Sequence, residues 1–255
     1  MNTWTRCRRF DIRQAALVPI FLLISYPKDI MRLRITFSKT GSLRYIGHLD
    51  LHSVWERTFR RAGLPLVYTQ GFHPGPKIQI ASALPLGFSG RAEIADVWLQ
   101  DNFDADQRTD PQVRPYAEVL QPAAPPGLTI LSVEQVDEHG SALQTQVVSA
   151  EYSVTLLEPL DEADLAGKIA ALLEAGTLPR ERRGKVYDLR PLVESLSITP
   201  SLLLRGEGHE IMIFMRLAAR AGATGRPEEA LAVLGIPTES ARIERTRLIL
   251  QNDIE

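Results

Sequence analysis

The sequence predicts an α+β protein made of two tandem ferredoxin-like units, each of βαββαβ order. Three observations carry that expectation. Short runs of alternating apolar and polar residues mark strands, helical stripes interrupt them, and the second half repeats the element order of the first without repeating its sequence. The 255 residues are 44% hydrophobic and 24% charged, with a mean hydropathy of −0.08, enough apolar content for one large or two ordinary cores. This composition excludes a disordered chain, a collagen-like fibre and a multispan membrane protein. The single cysteine, Cys7, excludes an internal disulfide framework and any multi-Cys metal centre.

The first thirty residues stand apart. Arg6, Arg8 and Arg9 precede the apolar run AALVPIFLLISY, the outline of a secretory signal, yet Asp11 and Arg13 crowd it, Pro19 interrupts it and no small-x-small site follows. The run is also shorter than the roughly 20 residues that span a bilayer. Residues 1–30 are therefore expected to be an extension before a start at Met31, and the protein is expected to be cytoplasmic, with no membrane partner.

From Met31 the pattern is legible element by element. In Arg32 to Phe37 the apolar Leu33, Ile35 and Phe37 point inward and Arg32 and Arg34 outward, as on a half-buried strand. After the turn at Lys39 to Ser42, Leu51, Val54, Trp55, Thr58, Phe59 and Ala62 form the stripe of an amphipathic helix ended by Gly63, with Arg57, Arg60 and Arg61 off the stripe. Leu66 to Thr69 and Lys77 to Ala83 read as short strands around the turn-rich loop Gly71 to Pro76, and Glu93 to Leu99 as another. Asp110 and Pro111 open a helix through Val113, Tyr116 and Leu120, and Leu128 to Val136 closes a first unit at 31–137. In the second unit, 150–251, Ser153 to Leu157 is a strand and Asp161 caps a helix through Leu165, Ile169 and Leu172. Val186 to Ile198 is extended, Ile211 to Met215 is a strand apolar on both faces, Pro227 opens a helix that stops at Gly235, and Ile243 to Leu250 is the last strand. The polar stretch after Asp137 separates the units.

The formal charge of −2 conceals an asymmetry. Residues 31–80 hold eight Lys/Arg against two acids, 81–179 hold four against sixteen, and 180–190 hold five against two. Solvated surface is the plain reading of charge; a localised basic block is also the electrostatic footprint of a phosphate or RNA site. The candidate binding residues are Arg32, Arg34, Lys39, Arg57, Arg60, Arg61, Phe72, His73 and Lys77 in the first half and Arg182, Arg183, Lys185 and Arg190 in the second. Phe72 in its Gly/Pro-shaped loop, followed by Lys77, has the residue types that stack a base and neutralise a phosphate; a buried Phe72 in a simple hairpin is the structural alternative. Asp50 is assigned a capping role, and Asp188 an ion pair with Arg190.

Catalytic readings rest on the histidines. His48 and His52, spaced i, i+4, can place two imidazoles on one metal, with Asp50 nearby and His73 as a third ligand. The chain lacks the Glu that gives HExxH its meaning, so capping by His48 or Asp50 and exposure of His52 is the preferred reading, with no metal or cofactor. A metal-independent endoribonuclease would use His48 with Lys39 or Lys77. Gly87 to Arg91 has neither dinucleotide nor P-loop spacing, so nucleotide hydrolysis is not expected.

The runs KTGSLRYIGHLDL and ERTFRRAGLPLVYTQGFHPGPKIQIASALPLGFSGRAEIADV, with the later GKVYDLRPLV, resemble the radical SAM-linked protein family, a bacterial domain of unknown function. The resemblance is strong from Met31 to about Leu99 and takes in Lys185, Asp188 and Arg190. It implies a partner radical SAM enzyme, encoded nearby or fused, and a role around RNA or the ribosome. With one Cys this chain cannot itself ligate the cluster of such an enzyme. The expected function is thus a non-catalytic accessory protein that binds RNA or a ribosomal component through a basic face and presents it to the partner. A protein-only adaptor and the His48 ribonuclease are the alternatives.

Overall fold

Alternation becomes strand register in the computed structural model, which describes residues 30–100, 115–202 and 209–254. Residues 1–29 of the expected extension 1–30 and the acidic run from Asp101 to Asp110 lie outside the described residues; Ile30 instead opens the first strand, and the helix expected from Asp110 has its described start at Tyr116, with Pro115 as its N-cap. Strand β1 (Ile30–Lys39) sets Leu33, Ile35 and Phe37 against helix α1 (His48–Arg61), whose Leu51, Trp55 and Phe59 are enclosed with them. Trp55 meets Phe37 edge-on at 4.9 Å between ring centroids and stacks on Phe59 at 5.2 Å, the offset geometries that aromatic quadrupoles favour. Gly47 caps α1, and the Asp50 carboxylate accepts the Gly47 N–H at 3.3 Å, the capping role assigned to Asp50.

The first half continues with β2 (Ile78–Ile80), β3 (Ser89–Gln100), α2 (Tyr116–Leu120) and β4 (Leu128–Val136). Leu66 to Thr69, expected as a strand, makes only isolated bridges, Leu66 to Leu99 and Tyr68 to Pro76, because Pro65 and Pro76 have no N–H to give a ladder. The second half contains α3 (Leu143–Gln146), β5 (Val147–Leu156), α4 (Glu162–Glu174), the hairpin β6 (Pro179–Arg182) and β7 (Lys185–Asp188), β8 (Val193–Leu202) and β9 (His209–Arg220). It closes with β10 (Ala223–Thr224), α5 (Pro227–Leu234) and β11 (Ala241–Leu250). Asp161 caps α4 by accepting the N–H groups of Ala163 and Asp164 at 2.8 and 3.2 Å, and Gly235 ends α5 at φ +75°.

Among the described residues the architecture is mixed α+β: five α-helices and one large, mostly antiparallel sheet of nine strands, with β6 and β7 forming a separate ribbon. Strand order is β2, β3, β1, β4 in the first half and β8, β9, β5, β11 in the second. The halves are not separated at the polar stretch after Asp137. β11 runs parallel to β3, with Glu244 opposite Ser89 and Arg245 opposite Gly90, and Ala81, Leu84, Phe88 and Ile94 of the first half pack into the core of the second. No helix among the described residues is long and apolar enough to cross a membrane.

A buried ion pair closes this seam. Arg245 and Glu93 are each 1% exposed. Arg245 Nε donates to Glu93 Oε1 at 2.8 Å and Nη2 donates to Oε2, while the remaining donors reach Ser82 Oγ at 3.2 Å and the carbonyls of Ala83 and Ser82 at 3.2 and 2.9 Å. Burial alone lowers an arginine's proton affinity; here the adjacent Glu93 carboxylate and its hydrogen bonds outweigh that and hold Arg245 above its ordinary range. Gly90 is required beside the pair, since a Cβ there would stand 2.5 Å from Glu93 Oε1.

Breaking this pair from one side leaves a charge stranded in the seam. Glu93→Gln and Arg245→Met are each expected to cost about 3–5 kcal/mol of stability, with the double replacement Glu93→Leu/Arg245→Met costing less than either, read from urea denaturation midpoints.

Candidate nucleic-acid interface

The basic residues of β1 are not at the surface. Arg32, expected to point outward, is 1% exposed and clamps Asp96 with Nε and Nη2 at 2.9 and 2.6 Å; its Nη1 and Nη2 also reach the Gly140 and Ser141 carbonyls, both at 3.0 Å. Arg34 takes the other side of Asp96 at 2.9 and 3.0 Å and Gln146 Oε1 at 3.0 Å. The physical reason is a second cover: the segment 137–146 folds over the face of β1 opposite α1. Lys39 is likewise enclosed, donating from Nζ to the Ile46 carbonyl at 3.2 Å, and burial pulls its pKa down against the attraction of Glu93.

Among the described residues the exposed cations of the first half are those of α1 and Arg91 of β3, which is paired with Glu244. Arg57, Arg60 and Arg61 all face solvent, and Arg60 Nη2 approaches the Tyr68 hydroxyl at 3.3 Å and Glu56 at 2.7 Å. Tyr68 is at the base of a hairpin pinned by Thr69 N–H to the Gly75 carbonyl at 2.8 Å, Lys77 N–H to the Val67 carbonyl at 2.7 Å and Gly75 N–H to Thr69 Oγ1 at 3.1 Å. Its tip carries His73 and Phe72, whose ring is wholly exposed (103%), so the buried-Phe72 alternative is overturned. Lys77 Nζ lies 4.2 Å from the centre of the Trp98 ring, with the Arg32 guanidinium 4.7 Å from the same ring. The α1 face and the aromatic loop, separate in sequence, are thus one surface joined through Tyr68, a residue sequence reasoning missed because nothing local marks its contact with Arg60.

The histidines do not assemble a centre. His48 is exposed at the first turn of α1 and His52 half-buried one turn on; Asp50 is occupied by the Gly47 cap. Among the described residues no three His, Cys, Asp or Glu side chains gather to hold a metal. Lys39 is enclosed in the seam and Lys77 rests on Trp98, so neither stands as a free partner for His48.

In the second half, β6 and β7 are joined by a tight turn at Arg183 (φ +49°) and Gly184 (φ +73°). One side of the hairpin and the 222–226 turn enclose an open cavity of about 520 Å³, lined by Arg182, Arg183, Lys185, Tyr187, Thr224 and Arg226 among others. Arg226 was not anticipated, because it comes forty residues after the basic run. Arg190, expected in the same strip, turns away: Nε and Nη2 donate to the Leu173 carbonyl at 3.1 and 2.8 Å and Nη1 to that of Val193 at 2.9 Å. The expected side-chain pair between Asp188 and Arg190 is replaced by backbone contacts, Asp188 Oδ1 accepting the N–H groups of Leu178 and Arg190 at 2.7 and 3.0 Å. The described lining contains no residue of α1 or of the Phe72 loop, so the two basic features are distinct.

The model of a family described as "Uncharacterized protein conserved in bacteria (DUF2344)" matches residues 32–227. No curated protein matches the chain. Among solved structures, a Cbf5-Nop10-Gar1 complex aligns at TM-score 0.43 and 11% identity, covering 85% of this chain and 48% of that one. An H/ACA RNP bound to a substrate RNA containing 2′-deoxyuridine aligns at 0.40 and 11%, covering 85% and 47%. An unknown protein from Galdieria sulphuraria aligns at 0.24 and 13%, covering 87% of this chain and all of that one. The chain spans about half the length of the first two, and overlaps this loose carry no argument about function.

Although His48 keeps solvent contact, partial desolvation at the start of α1 and then the neighbouring His52 push its pKa down. An NMR titration is expected to place the His48 midpoint below 6.5, and His52→Gln is expected to move it up; a midpoint unmoved by that substitution excludes the coupling.

Proposed function

The chain belongs to that family of uncharacterized bacterial proteins, and on this premise we propose that it is a non-catalytic RNA-binding accessory protein. One observation carries the reading: Arg60 and Tyr68 join the cationic face of α1 to a pinned hairpin with a fully exposed Phe72. Guanidinium groups meet phosphates bidentately, and an aromatic ring stacks any base, so this surface has both parts of a sequence-tolerant RNA contact. The strand orders of the two halves support reading each as a ferredoxin-like unit, β1-α1-β2-β3-α2-β4 and β5-α4-β8-β9-α5-β11. The bound component is a structured RNA or a ribosomal element, and the protein it is presented to is a radical SAM enzyme, on the resemblance described above.

The rival adaptor reading draws on exposed Tyr45, Leu49 and Leu86, brought near by the Gly87 N–H to Arg44 carbonyl bond at 2.8 Å. Salt separates the two, because an RNA polyanion releases condensed counterions on binding and an apolar contact through these residues does not. Binding to structured RNA is expected to weaken steeply between about 50 and 200 mM salt, with the log–log slope shallower by about 2–3 in Arg57→Ala/Arg60→Ala/Arg61→Ala. Phe72→Ala is expected to weaken binding by about 1–3 kcal/mol with the slope unchanged. Absence of binding at about 50 mM salt, where counterion release favours it most, defeats the RNA reading.

A further inference from the structure

The cavity beside the β6–β7 hairpin is a second, separate feature, and we propose that it is a binding site for the phosphate of a small phosphorylated ligand. Its volume of about 520 Å³ lies within the range of small-ligand pockets. Four cationic side chains line it, Arg182, Arg183, Lys185 and Arg226; the Thr224 hydroxyl at its edge already donates to the Arg220 carbonyl at 3.1 Å. Among the described residues no carboxylate forms an ion pair with Arg182, Arg183 or Lys185. Asp188, the acid in the lining, already accepts two backbone N–H groups on one oxygen.

Both walls are held before any ligand arrives. The hairpin is anchored by Leu189 N–H to the Leu178 carbonyl at 2.9 Å and by Arg180 Nη2 to the Glu229 carbonyl at 3.3 Å. The opposite wall is fixed by Gly225 N–H to the Ala218 carbonyl at 2.8 Å, and Gly225 is packed so closely that a Cβ would stand 2.9 Å from the Leu192 carbonyl oxygen. A backbone frame that is already formed needs little reorganisation on binding an anion, which favours affinity. The apolar part of the lining, Leu192, Ala223 and the Tyr187 ring, gives the organic portion of the ligand a place to rest.

The test is calorimetric titration of the full chain with ADP, with inorganic pyrophosphate, and with a short RNA carrying either a 5′-phosphate or a 5′-hydroxyl. Saturable binding of ADP with competition by pyrophosphate is expected, weakened about tenfold or more by Arg182→Ala or Lys185→Ala. Arg183→Asn removes a charge while putting a residue suited to positive φ at the turn, so it is expected to fold at least as well and still lose affinity. If the 5′-phosphorylated RNA alone binds at the cavity, the phosphate is that of an RNA end and the free small ligand is overturned. Failure of ADP and pyrophosphate to saturate below about 1 mM, or binding unchanged in all three variants, overturns the site itself. Because Arg57→Ala/Arg60→Ala/Arg61→Ala leaves the cavity intact, loss of RNA binding in that variant with ADP binding kept separates this site from the RNA surface.

Discussion

The ion pair between Arg245 and Glu93 governs how the two halves of the sheet meet. The parallel contact of β11 with β3 registers only two residue pairs, too few ladder bonds to specify a joint. What specifies it is the high cost of burying a guanidinium and a carboxylate anywhere but together, with every remaining donor met by Ser82 and Ala83. The same logic extends along β3. That strand carries both buried acids, Glu93 and Asp96, and its neighbours supply the cations, Arg32, Arg34 and Lys39 from β1 and Arg245 from β11. One acidic strand bracketed by basic ones sets the register on both edges.

This arrangement decides how much of the basic block reaches the outside. Three cations of residues 31–80 are spent inside, with Arg32 and Arg34 sharing Asp96 and Lys39 sharing Glu93 with Arg245, so their fields are partly cancelled within the protein. The remaining positive surface is concentrated on α1, whose inner stripe is fastened by the Phe37, Trp55 and Phe59 rings. A rigid core under the helix holds Arg57, Arg60 and Arg61 at constant spacing, and the Arg60 contact to Tyr68 fixes the aromatic loop relative to them.

Features written locally were legible in the sequence. Asp161 and Gly235 bound their helices because capping is decided within a few residues, and β4 runs from Leu128 to Val136 as its alternation indicates. Arg32 and Arg34 were misread because alternation reports which residues share a face and not whether that face is covered; their cover lies more than a hundred residues away at Gly140 and Ser141. The same range effect hides Arg245, a charged strand position that reads as outward until the Glu93 side chain of the neighbouring strand reaches it. Of the candidate sites, the Arg182, Arg183 and Lys185 cluster could be seen, whereas Arg226, Thr224 and Tyr68 enter only through tertiary contact.

Arg183 carries the last step. A two-residue hairpin turn demands positive φ, which asparagine or glycine meets at little cost and an arginine meets only at a local penalty of about 1 kcal/mol. The penalty is borne at the hairpin tip, where no packing needs a long side chain, in a hairpin whose inner acid, Asp188, is committed to holding its own backbone. Among the described residues Arg183 makes no ion pair, so its charge is available to the anion proposed for the cavity it lines. Its neighbours in the cavity are cations as well, with Asp188 the acid beside them, so an anion entering there meets a lining of net positive charge.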